Sequence, residues 1–192
     1  MKLIHASAAL GLMGVAACSS APSPRGGEHM FAALSQYCGQ AFEGHVTSED
    51  PRDADWATQT LTLHFRDCSN IQIRAPLHVG DDASRTWLIS RETDGLRLQH
   101  VHRHEDGSED AVSLYGGSTI APPIDGRAEF PADEFSRNLF EREGLAASMA
   151  NVWSLTLSDE ALVYALDRPD RHFEASFDLI RPVDTPPDPW GG

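Results

Sequence analysis

Short runs in which apolar and polar residues alternate fill most of this chain, and a period of two limits them to half-buried β-strands. Leu61, Leu63 and Phe65 alternate with Thr62, His64 and Arg66. Ile71, Ile73, Ala75 and Leu77 alternate with Gln72, Arg74 and His78. Trp87 and Ile89 follow, then Leu96 and Leu98. Late in the chain come Trp153, Leu155 and Leu157, then Leu162, Tyr164 and Leu166, then Phe173, Phe177 and Leu179. Turn signals lie between them at Asp94-Gly95, Asp106-Gly107, Gly116-Gly117 and Arg168-Pro169-Asp170. Two stretches break the rhythm with helical spacing. Glu28 to Cys38 places Phe31, Leu34 and Tyr37 on one side before Gly39. Asp133 to Glu143 does the same with Phe135, Leu139 and Phe140 before Gly144.

The expected fold is all-β: an antiparallel barrel of about nine or ten strands with an N-terminal helix and one short helix late, because closure removes the unpaired edges of so long a set of hairpins. The strand rhythm resembles the calycins (lipocalins and fatty-acid-binding proteins), although no early Gly-x-Trp signature is present. Strands such as Leu61 to Phe65 have one apolar face, so this is not a membrane barrel. With 192 residues there is room for one domain with a real core. The formal charge of −14 excludes nucleic acid as a partner, since no basic stripe exists to displace phosphate counterions, and it excludes charge-driven docking on anionic lipid.

The N-terminus specifies an address. Lys2, the only lysine, precedes an almost wholly apolar or small run from Leu3 to Ala17. That run is shorter than the roughly 20 residues a helix needs to cross a bilayer, and it fits the apolar region of a secretory signal. Val15-Ala16-Ala17-Cys18 then resembles the lipobox of bacterial lipoproteins. The resemblance implies cleavage before Cys18, acylation of its sulfur and new amino terminus, and attachment to a membrane by those chains, since one chain alone binds only marginally. Ser19 in place of Asp implies the outer membrane, facing the periplasm. On this reading residues 1–17 are a signal peptide, 18–27 a Ser/Pro/Gly tether, 28–182 the barrel, and 183–192 a Pro-rich tail expected to fray. Export to an oxidising compartment pairs the two remaining cysteines, Cys38 and Cys68, as a disulfide.

One constellation stands out. His100, His102 and His104 alternate along one strand, on the face that also carries Leu96 and Leu98. A two-residue turn at Asp94-Gly95 would set His100 opposite Ile89 and His102 opposite Trp87. A matching turn at Asp106-Gly107 would set His104 opposite Glu109, His100 opposite Ser113 and Leu98 opposite Tyr115, with Arg103 meeting Asp110 outside. Imidazoles two apart with a carboxylate on the next strand suit a divalent metal such as zinc, which makes His100, His102, His104 and Glu109 a candidate metal set. His102-x-His104, Glu109 and Gly116 also resemble the first motif of the cupins; Gly95 is one position off the upstream glycine, and the second motif with its third histidine is absent. The other two readings are a polar rim bonded to neighbouring acids and a ligand site formed by Trp87, His100, His102 and Tyr115. The cluster is expected to titrate near neutrality. His45, His64, His78 and His172 fall on outer strand phases or strand ends.

No Gly-x-Ser-x-Gly elbow, P-loop or dinucleotide-binding turn occurs, so the chain reads more readily as a binding protein than as an enzyme. Through Arg85–Leu88, His102–Asp110 and Glu141–Ser148 it is similar to a family of proteobacterial secreted proteins without an assigned activity. Three functions are open on these residues: an envelope-anchored barrel binding a small or amphipathic ligand, a metal-binding (cupin-like) protein, and an assembly lipoprotein acting through its surface. Oligomeric state is not legible.

Overall fold

The computed structural model describes residues 26–192. Cys18, the signal segment and the tether through residue 25 lie outside them. The strands are β1 (Ala41–Val46), β2 (Leu61–His64), β3 (Asp67–Cys68), β4 (Gln72–Val79), β5 (Asp82–Glu92), β6 (Gly95–His102), β7 (Tyr115–Ser118), β8 (Arg127–Pro131), β9 (Val152–Leu157), β10 (Ala161–Arg168) and β11 (Arg171–Val183). Ten of them pair antiparallel in the order β7-β6-β5-β4-β2-β1-β11-β10-β9-β8, with β3 appended to β4. The sheet curls into a nearly closed barrel, as the alternating pattern requires. Its interior holds the in-phase residues: Leu61, Leu63, Ile73, Ile89, Leu96, Leu98, Trp153, Leu155 and Phe177 are all fully buried.

The seam lies between β7 and β8, and it explains a misread signal. Gly116-Gly117 is a strand, not a turn. A β-carbon on Gly116 would lie 1.9 Å from the Leu98 carbonyl oxygen, and one on Gly117 1.9 Å from that of Pro131. Gly117 lets the barrel edges meet at backbone contact, and Gly116 lets β7 lie close on β6. The amide of Asp133 donates to the Gly116 carbonyl at 3.0 Å, and the Ser136 hydroxyl accepts from the Gly116 amide at 2.7 Å. Ser136 and Asp133 belong to the start of α3 (Glu134–Arg142), where the Asp133 carboxylate caps the helix by accepting from the Ser136 amide. This helix was expected at these residues. Its inward side, however, is Ser136, Leu139 and Phe140, while Phe135 points to solvent.

The first helix, α1 (Gly26–Ser35), starts two residues before the expected boundary and so takes the last two residues of the tether. It lays Met30, Phe31 and Leu34 into the core and sets Gly27 against Gly95 in the β5–β6 connection. The following turn carries Cys38, which is disulfide-bonded to Cys68 across a sequence separation of 30.

Two strands, β1 and β7, do not advertise themselves by alternation; β8 does, with Ala128 and Phe130 inward, over only five residues. In β1 the register shifts between Phe42 and Gly44, and Gly44 leaves room for the Phe177 ring to cross it. The tail also differs from expectation. Rather than fraying, β11 continues to Val183. Pro189 is buried, the Trp190 amide donates to the Ala83 carbonyl, and Asp188 lies 3.5 Å from Arg66. His64 and His78, read as outward-facing, are both buried, and burial pushes both below the ordinary imidazole range.

Candidate functional site

One end of the barrel is not filled by side chains. A cavity of about 380 Å³ lies among residues of β2, β4, β5, β6, β7, β9, β10 and β11, within the usual range of small-molecule sites. Arg52 and Leu145, both exposed, mark its open side. Arg52 comes with Trp56 from the segment that holds the four-residue helix α2 (Ala54–Ala57). Leu145 and Ser148 come from the turn after α3.

Its wall is aromatic. Trp87 stacks on Tyr164 with ring centroids 4.6 Å apart and 19° between planes. His100 stacks on Tyr115 at 4.9 Å and 15°, and Trp153 packs 5.1 Å from His100. Strand register produces these contacts: His100 is opposite Trp87 on β5 and opposite Tyr115 on β7, so three flat side chains share one row. Trp56 closes the wall edge-on to Phe173 at 5.4 Å.

The register differs from the one that Asp94-Gly95 suggested. The turn residues are Thr93 and Asp94, with Gly95 opposite Glu92, which slides the pairing by two positions. His100 therefore meets Trp87 instead of Ile89, and His102 meets Arg85 instead of Trp87. An even slip preserves the face, so Leu96, Leu98 and His100 stay inside. The next connection is a long loop, which sets His100 opposite Tyr115 instead of Ser113, and Leu98 opposite Gly117 instead of Tyr115. His104 lies past the end of β6, with its side chain 58% exposed and Nε2 3.7 Å from Asp110. Arg103 donates to the Gly107 carbonyl at 2.8 Å rather than to Asp110. The ladder thus divides: His100 and His102 line the cavity and His104 leaves it.

A chain of hydrogen bonds runs through the wall. The acceptor facing Nδ1 of His100, at 3.3 Å, is the Tyr115 backbone carbonyl, so Nδ1 carries the proton. Nε2 then accepts from the Tyr164 hydroxyl at 3.0 Å. The Tyr115 hydroxyl lies 3.0 Å from Nε2 of His102. Burial, helped by the neighbouring His102, pushes His100 down to about 3 against the hydrogen bond it donates to the Tyr115 carbonyl. Burial and the Arg85 charge push His102 down to about 4. Burial lifts Tyr115 to about 12 and also pushes Tyr164 well above the ordinary phenol value. The expected titration near neutrality is therefore corrected: all four groups are uncharged at pH 7. An imidazole so hard to protonate is a weak general base, and the wall offers hydrogen bonds and ring faces instead.

The proposed metal set does not assemble. Both nitrogens of His100 are engaged, Glu109 is exposed, and His104 points away. Among the described residues no three His, Cys, Asp or Glu side chains group closely enough to hold a metal ion.

Sequence reasoning named Trp87, His100, His102 and Tyr115, and all four line the cavity. It took Tyr164 and Trp153 for plain core, although a tyrosine in phase with Leu162 and Leu166 already needs a partner for its hydroxyl. It missed Arg52, Arg85, Arg168 and Arg171 because they converge from separate turns and strands. No protein-family profile, curated protein or solved structure matches this chain.

Proposed function

We propose that this protein is an envelope lipoprotein whose barrel binds a small amphipathic molecule. The observation that carries the binding half of the reading is the ring-lined cavity with polar groups at its wall and an opening beside Arg52 and Leu145. An apolar pocket with a few fixed hydrogen-bonding groups is the ordinary form of a small-molecule site. The anchoring half is supported by the lipobox resemblance ending at Cys18. No helix among the described residues is long and apolar enough to cross a membrane, and the acyl chains supply the attachment.

Native mass spectrometry of the full chain isolated from the envelope of the expressing cell tests both halves. The expected result is a non-covalent mass of a few hundred daltons, lost on denaturation, on a chain whose covalent mass includes the acyl groups. Recovery only of the empty protein, together with failure of any amphipathic probe to bind, overturns the binding reading. Cys18→Ser is expected to move the protein from the membrane to the soluble fraction; unchanged partitioning overturns the anchor.

A further inference from the structure

We infer that the cavity takes an aromatic organic anion, its acidic group held by Arg168 and its ring among Trp87, Tyr115, Trp153 and Tyr164. The inference rests on the reading of this cavity as a ligand site and names the chemistry of the ligand. Five charged side chains line the cavity, and four of them are arginines: Arg52, Arg85, Arg168 and Arg171, against Asp53. In a chain of formal charge −14 that is a local inversion of sign.

Two of the arginines are chelated by carboxylates, and Arg85 is tied through one nitrogen and lies 4.7 Å over the Trp56 ring. Arg171 binds the Asp53 carboxylate through both terminal nitrogens, and Ser48 donates to the same carboxylate at 2.7 Å. Arg52 chelates Asp50 through Nε and Nη2. Arg85 gives Nη1 to Asp82 and Ser84. Arg168 differs. Its Nη1 reaches Ser148 at a long 3.3 Å, and its Nε lies 3.4 Å from Asp170, a residue 70% exposed. That Nε is buried and has no hydrogen-bond acceptor. On the same wall, Asn151 is 6% exposed and its buried Oδ1 also lacks a partner.

Held only by a long contact to Ser148 and a pairing with an exposed carboxylate, the Arg168 guanidinium is the one on this wall most open to a ligand carboxylate, with the planar, two-pronged fit that guanidinium favours. The rest of such a ligand meets rings, for which offset stacking and edge contacts favour another flat ring.

Isothermal titration calorimetry of the full chain carrying Cys18→Ser tests this with 2-naphthoate and its uncharged isostere 2-naphthamide. The expected result is binding of 2-naphthoate at least tenfold tighter than 2-naphthamide. Arg168→Gln is expected to bring the two within threefold, by weakening 2-naphthoate more than 2-naphthamide. Equal affinity on the unsubstituted chain, a comparison that needs no variant, overturns the anion assignment and leaves the ligand site standing. A preference that survives Arg168→Gln overturns the role of Arg168. Failure of both probes to bind overturns the inference, while the ligand-site reading falls only if the natively isolated protein is also recovered empty and other amphipathic probes fail.

Discussion

The Tyr164 hydroxyl donates to Nε2 of His100 across 3.0 Å, and this contact joins β10 to β6 through the barrel interior. Both residues are buried. A phenylalanine at position 164 keeps the stacking on Trp87 but leaves the imidazole nitrogen with no donor. Tyr164→Phe is expected to lower unfolding free energy by about 1–3 kcal/mol, the cost of a buried polar atom left unpaired. Chemical denaturation measures this, and an unchanged midpoint refutes the pairing.

Acid stability follows from the same wall. His100 and His102 have folded-state values near 3 and 4, below the ordinary imidazole value of 6.5. The unfolded chain therefore binds protons that the folded chain excludes, and stability falls as pH drops below about 6.5, with the loss complete only below about 3. His64 and His78, shifted in the same direction, add to it. Denaturation midpoints should be flat from pH 8 to pH 7 and decline steadily from pH 6 to pH 4. Arg85, Asp82 and Asp110 act on His102 in opposing directions, Arg85 lowering and the two acids raising it, so Arg85→Gln should raise the His102 titration seen by NMR. A titration unchanged by Arg85→Gln would refute that electrostatic account.

The Cys38–Cys68 bond closes a separation of 30 residues. By the chain-entropy argument it contributes roughly 3 to 4 kcal/mol. Reduction, or replacement of both cysteines by serine, should lower the unfolding free energy by that order; a change under about 1 kcal/mol would place the stabilisation elsewhere.

Barrel closure should be sensitive to a single methyl group. Gly117→Ala puts a β-carbon onto the Pro131 carbonyl oxygen, and the atom it strikes is backbone, which has little freedom to retreat. The expected cost is about 1–3 kcal/mol. Hydrogen exchange should rise first at Gly116 and Asp133, whose backbone groups bridge the seam.

Removing residues 184–192 should uncover the outer wall near Ala83 and Arg66. The deletion loses the Trp190-to-Ala83 hydrogen bond and the Arg66–Asp188 pair, and a cost of about 1 kcal/mol is expected from the former. A chain with an unchanged midpoint and unchanged exchange at β5 would show the tail to be idle.

The sequence by itself determined the barrel class, because alternation with period two can bury one face only if the strands form a sheet, and ten such strands avoid open edges by curling. It also determined the α3 boundaries, through Asp133 and Gly144, and the pairing of its two internal cysteines. It placed His100 inside whichever even register the hairpin adopted. Tertiary structure decided the rest. Gly116-Gly117 carries the same local signal in a turn and at a seam, and only the approach of Pro131 distinguishes them. His104 keeps the ladder's phase in sequence but lies beyond the strand that gives phase a meaning. The arginines of the cavity come from three places in the chain, Arg168 and Arg171 flanking one turn. A set that converges only on folding has no spacing to read, and its unpaired donors become visible only once every other partner is in place.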